Sequence, residues 1–289
     1  FTSGIAVTIL VGQIKDFLGL TFPSGMQPIE TVEKLEAVIK SLKTLNPWAL
    51  LTGIIALAVL IVWPKINKKI PPSLIAVILG TLLVKFLPIQ VNTIGDLYQI
   101  NGSLPSFAFP EITADRIISL LPNAVTIAIL AGIESLLSCV VSDSMISDKH
   151  NSNTELIAQG VGNICSGLFG GIPATGAIAR TAANVKNGGR SPIAGIVHAL
   201  VLLLVLIILM PYAAWIPMPV IAAILFMVAY NMSEWREFIS ICKKEHWTDV
   251  AVLVLTFVLT VIFDLVVAIA TGMIIHLIKE FVHKNIKKK

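Results

Sequence analysis

The stretch GLFGGIPATGAIARTAANVKNGGR, residues 167–190, decides the fold. Gly-Gly-Ile-Pro closes an extended run, and Pro173 suits the start of a helix: its φ is already helical and its missing N–H would be unpaired there anyway. Residues 174–186 are too few to cross a hydrocarbon core of about 30 Å at about 1.5 Å per residue. The spacing predicts a half-helix starting near a membrane midplane. Its first amides, around Ala174 to Ala177, would lack intrahelical acceptors at the positive end of the helix dipole. Backbone alone then makes an anion site. Gly176 and Ala177 keep side chains out of the way, and Arg180, a turn further on, adds a full positive charge. Snorkelling to an interface is the alternative for Arg180, but Lys186 and Arg190 already occupy that position.

The composition demands a bilayer around this element. Of 289 residues, 56% are apolar and only 13% charged, with a mean hydropathy of +0.88. A soluble domain carries about a quarter charged residues, so a water-soluble globular enzyme is excluded. Nineteen glycines and 15 prolines, many inside apolar runs, fit a transport protein whose broken helices line a cavity. Cys139, Cys165 and Cys242 are an odd, scattered set without CxxC, which supports neither a disulfide framework nor a thiolate metal site. The chain opens on Phe1 inside an apolar segment and reads as part of something longer.

About ten apolar runs emerge: 1–14, 47–63, 70–87, 117–141, 154–169, 174–186, 191–211, 216–230, 249–263 and 265–283. Lys and Arg fix the orientation. Fourteen of them, including Lys149, Lys186, Arg190 and the terminal lysines, fall on one side, against six on the other, which makes the first side cytoplasmic. The alternation closes only if the last two runs are short or bent, turning near Asp264. The five tryptophans fall at predicted interfaces as an aromatic belt. In the polar insertion 16–46, Ile29, Val32, Leu35, Ile39 and Leu42 recur at helical spacing, predicting an amphipathic helix against the outer surface. Residues 88–116 read as an outer connector.

Ionisable groups at membrane depth cost about 2.5–3.5 kcal/mol each on insertion scales, so each points to function. Glu134 lies mid-way along span 117–141, with Ser138 one turn later on its face. A low-dielectric cavity would raise its pKa toward neutrality, letting it load and release a proton, or hold a cation while ionised. A structural acid bonded between helices is the other reading. His198 and Asp264 receive no role.

At these residues the chain resembles the sulfate permease (SulP) family of anion transporters. The likeness runs through 131–200: the acid-Ser-Leu-Leu of Glu134 to Leu137, the HNSN of His150 to Asn153, and the Gly-Pro turn before Ala174. The opening FTSGIAV is similar to the start of that family's fifth span. The resemblance implies an all-α polytopic membrane protein with a seven-plus-seven inverted-repeat fold, its first four spans absent here. It implies a single transmembrane domain over 1–289, with gate segments 1–87 and 216–289, a core segment 117–211, and no STAS domain present. It places Glu134 and Ser138 at proton or cation coupling, and Ala174, Thr175, Gly176, Ala177, Ile178 and Arg180 at the substrate. It further implies a multi-pass protein of the plasma membrane with a cytoplasmic C-terminal tail, forming a homodimer. No cofactor is implied beyond a coupling ion.

One departure matters. A sodium-coupled bicarbonate branch has aspartate at the Glu134 position and threonine at those of Ser138 and Ile178. Hard cations need several oxygens, and Ile178 offers none from its side chain. A proton therefore fits better than sodium. The leading expectation is a proton-coupled symporter of an inorganic anion or dicarboxylate working by elevator-type alternating access. The alternatives are an uncoupled anion channel or exchanger, and sodium-coupled bicarbonate uptake. An enzyme is disfavoured, since no HExxH, GxSxG, paired acids or His cluster lies at one membrane depth. Nucleic-acid binding has no support; inner-leaflet lipid would meet the Lys tail.

Overall fold

The computed structural model describes residues 2–263, save Ser24, Gln27, Lys68, Lys69, Pro88, Asn101, Gly102, Glu245 and His246, together with Thr271, Gly272 and Ile275. Thirteen α-helices follow in chain order among the described residues: α1 (Thr2–Leu18), α2 (Thr31–Ser41), α3 (Pro47–Ile66), α4 (Pro72–Phe86), α5 (Ile94–Leu97), α6 (Ala114–Ile146), α7 (Ser152–Leu168), α8 (Ile178–Lys186), α9 (Ile193–Ile208), α10 (Met210–Ala213), α11 (Met218–Met232), α12 (Trp235–Lys244) and α13 (Trp247–Ile262). The chain divides into two compact units, one of residues 1–100 with 212–289, the other of 101–211. The predicted turn at Asp264, the run 265–283 and the Lys-rich tail lie outside the described residues, apart from Thr271, Gly272 and Ile275.

In the first unit, small residues let helices approach. Ala56 and Leu60 of α3, Ala76 of α4, and Val220 and Ala223 of α11 form its buried core. A Cβ added at Gly80 would collide with Val220, and one at Gly53 would sit 2.6 Å from the Phe17 ring. Such close contact is what drives association where lipid removes the hydrophobic incentive. Helix α3 starts cleanly because Asn46 accepts from the N–H groups of Trp48 and Ala49, with Pro47 at its first position. Residues 88–116 hold more than a connector. Met218 N–H donates to Asn92 O and Ile94 N–H to Ile216 O, both at 2.9 Å, forming a bridge of Thr93 with Pro217 before α5.

Two elements of this unit add to the sequence reading. Helix α2 forms where expected and turns Thr31, Ala37, Val38 and Ser41 inward against α1 and α13. The apolar stripe of Ile29, Val32, Leu35, Ile39 and Leu42 is exposed. Between the apolar runs 216–230 and 249–263 lies α12, separated from α11 by Glu234 at φ +44° and tied to α13 through the Phe238–Phe257 ring pair.

The second unit is built on α6, which at 33 residues is longer than the predicted span 117–141. Thr113 caps its start by accepting from Arg116 N–H. It ends at Ser147, whose left-handed backbone (φ 57°) stops the helix. Helix α8 packs against α6, as does α7. By length and composition, Pro47–Ile66, Ala114–Ile146 and Met218–Lys243 suffice to cross a membrane among the described residues.

Candidate functional site

Residues 171–177 carry no secondary structure, and side chains of the surrounding helices partner the backbone of Ile172, Ala174 and Gly176. Backbone groups without partners are costly at membrane depth, so an extended segment there needs such support. On one side stands α7. Asn163 Oδ1 accepts from Ala174 N–H at 2.7 Å, and its Nδ2 donates to Ala174 O at 2.9 Å. Gln159, one turn earlier on α7, donates from Nε2 to the same carbonyl.

On the other side stands α6. Thr175 Oγ1 donates to Ala131 O at 2.9 Å, which uses its single proton. Ser135 must therefore be the donor in the 3.0 Å Ser135–Thr175 hydroxyl pair, while its oxygen accepts from Gly176 N–H at 3.2 Å. The order of donation runs Gly176, Ser135, Thr175, Ala131. A turn along, Ser138 donates to Thr181 Oγ1 at 2.8 Å, pinning α8 to α6. Ser135 and Ser138 are both buried.

This strapping moves the start of the half-helix. The sequence predicts it at 174; the structure has Ala177 as N-cap and Ile178 as first residue. Ala174 and Gly176 have their amides taken by Asn163 and Ser135, so the expected row of free amides from 174 onward is corrected. The amides of Ala177 and Ile178 have no acceptor among the described residues, and Ala177 O receives both Arg180 and Thr181 N–H. The free positive end lies at 177–178, with Arg180 in the first turn. Arg180 is exposed and makes no ion pair among the described residues.

The site residues do not all converge. Thr175, Gly176, Ser135 and Ser138 meet at the α6 face. Glu134 is exposed on α6, although Ser138 four positions later is buried. The described residues thus do not supply the burial expected around Glu134. Sequence reasoning missed Gln159, Asn163 and Thr181. The signal was available: Gln159 and Asn163 stand one turn apart on a single face of an apolar run. No group of three His, Cys, Asp or Glu that could hold a metal occurs among the described residues.

A family model for the sulfate permease family matches residues 1–256. The chain belongs to the sulfate permease family. It is 45% identical over 284 residues to the putative sulfate transporter YvdB of Bacillus subtilis, covering 95% of this chain and 52% of that protein. It is 33% identical over 281 residues to the bicarbonate transporter BicA of Synechocystis sp., covering 95% and 48%. The chain therefore spans about half the length of the curated relatives it matches. Among solved structures, the transmembrane domain of a cyanobacterial bicarbonate transporter BicA superimposes with a TM-score of 0.76 at 31% identity, over 93% of this chain and 66% of that one. The murine Solute Carrier 26 family member A9 anion transporter gives 0.80 at 21% identity, over 98% and 47%, a likeness of fold alone. The fold is that of this family's all-α transmembrane domain, and the family is one of transporters, not enzymes.

Proposed function

We propose that the complete transporter carrying this sequence moves a small inorganic anion or dicarboxylate across the plasma membrane together with a proton. The observation that carries this is the strapped segment 174–177, which leads into two amides, Ala177 and Ile178, without acceptors among the described residues, with Arg180 in the same first turn of α8 and in no ion pair among them. Helix N-termini of this kind bind anions. The printed names of the relatives, sulfate and bicarbonate transporters, agree with that chemistry. Glu134 is the coupling acid in this reading, with Ser138 beside it on α6. Sodium is disfavoured because hard cations need several oxygens and Ile178 has no side-chain oxygen to add to that of Ser138.

Alternating access would use residues 117–211 as moving core against gate segments 1–87 and 216–289, in a homodimer with a cytoplasmic C-terminal tail. A second reading, uncoupled anion exchange, is favoured by the exposure of Glu134, whose carboxylate has no hydrogen-bond partner among the described residues. Proteoliposome uptake of sulfate, bicarbonate, chloride and a C4 dicarboxylate, with and without an inward proton gradient, separates the two. Coupling predicts gradient-driven accumulation that Glu134→Gln abolishes while exchange survives. If wild type accumulates nothing with the gradient, exchange is the function.

A further inference from the structure

We propose that His150 and Asp143 form a proton-exchange station feeding the polar face of α6, a role that rests on the proton-coupled reading above. His150 sits in the turn between α6 and α7. Its Nδ1 lies 2.7 Å from Asp143 Oδ2, and its own backbone N–H donates to that oxygen at 3.1 Å. A carboxylate can only accept, so Nδ1 carries the proton. The other ring nitrogen, Nε2, is 2.9 Å from Ser152 Oγ.

The Ser152 hydroxyl makes the arrangement suited to exchange. With neutral His150, Ser152 donates to Nε2; with the protonated ring, the same oxygen accepts from Nε2–H. The ring gains or loses charge without losing a partner, so protonation leaves the turn in place. A switch needs the opposite, a contact that only one protonation state can keep.

Asp143 and His150 line one end of a cavity of about 590 Å³ that reaches Ser142, Ser138 and Ser135 along α6, and Gly176 and Thr181 on the far wall. A space this large with hydroxyl lining admits water. Its charged and titratable neighbours are Asp143 and Cys139 of α6, Asp148 and Lys149 of the turn, and Glu155 of α7; Thr181 of α8 and Pro192 before α9 add none. Glu134 precedes Ser135 in the chain and does not line this cavity.

Proton by proton the step balances. Neutral His150 takes a proton from the aqueous phase onto Nε2, with Ser152 turning from donor to acceptor. The Nδ1 proton passes to Asp143 and from there to cavity water, leaving Asp143 ionised and the ring neutral as the Nε2 tautomer. A half-turn of the ring about Cβ–Cγ then brings the protonated nitrogen round to Asp143 and the bare one to Ser152, restoring the starting state with one proton moved. One proton enters and one leaves, and the sequence runs equally in reverse.

The experiment uses the complete transporter in liposomes containing a pH-sensitive dye, with sulfate as probe. Wild type should acidify the lumen as sulfate enters. His150→Gln, and separately Asp143→Asn, should slow this coupled uptake by roughly tenfold or more while sulfate counterflow, which needs no net proton movement, stays at the wild-type rate. Added imidazole should restore coupled uptake in His150→Ala. Equal loss of uptake and counterflow, or no loss of either, overturns the station. Should wild type move sulfate without acidifying the lumen, the coupling reading itself falls.

Discussion

Asn163 grips Ala174 by both ends of one carboxamide, at 2.7 Å to the N–H and 2.9 Å to the carbonyl. A neighbouring β-strand would offer that residue the same two bonds. Because each such bond contributes about 0.5–1.5 kcal/mol, Asn163→Leu should lower stability and let the entry to α8 drift. The expected result is a lower melting temperature in detergent together with a raised Km for the transported anion. Asn163→Asp keeps the acceptor and loses the donor, and should fall between.

Arg180 has a different signature. It makes no ion pair among the described residues, so Arg180→Ala should leave the melting temperature near wild type and weaken anion binding strongly. A dipole end contributes at most about 2 kcal/mol when partly buried, which is little against stripping water from a sulfate. Arg180→Lys should recover only part, since an ammonium lacks the guanidinium fork. Calorimetry on the folded variants decides it: wild-type affinity in Arg180→Ala would make the residue an interface anchor.

Gly176 allows a graded steric test. A Cβ there would lie 3.5 Å from Ser135 Oγ and 3.8 Å from Ser138 Cβ, ordinary contact distances. Gly176→Ala should therefore fold and still bind. Gly176→Val adds two methyls against the Ser135–Ser138 face and should abolish binding at unchanged net charge. Equal binding by both variants would place the anion elsewhere.

At the start of α5, the Thr93 N–H and hydroxyl both donate to Asp96 Oδ2 at 2.8 Å and hold its carboxyl below the usual aspartate range, the backbone bond contributing most. A depressed folded value means the contribution to stability is complete above the ordinary value of about 3.9 and disappears as pH falls through the folded value. Thermal melts between neutral and acid pH should show this loss in wild type, and Asp96→Asn should flatten that part of the profile. An unchanged acid limb would show that the cap is not coupled to global unfolding.

Much of this architecture was legible in the residues. The apolar runs place α3, α4, α6, α7, α9 and α11, because length and hydropathy dominate where lipid is the solvent. Glycines and Pro173 announced an interrupted helix before 178. Its first residue was not legible, because the competition there is tertiary: Asn163 and Ser135, 11 and 41 positions from their partners, take the amides that helix propensity alone leaves free. In α2, periodicity marks the apolar stripe of Ile29 to Leu42, which is exposed, but not that Ala37 and Ser41 face the neighbouring helices. The exposure of Glu134 beside buried Ser135 likewise depends on which neighbours α6 has, which no local pattern records.

The hydroxyl sequence from Gly176 through Ser135 and Thr175 to Ala131 has every proton committed. Neither hydroxyl has a spare proton to offer an arriving anion, so in the proposed reading these side chains act as scaffolding and the main chain at 177–178 as host. Scaffolding made of individual side chains can be re-aimed one substitution at a time, whereas a regular helix shifts only as a unit. A family that handles anions as different in shape as sulfate and bicarbonate could therefore retune one recess by small edits to two facing helices, leaving the membrane-crossing frame untouched.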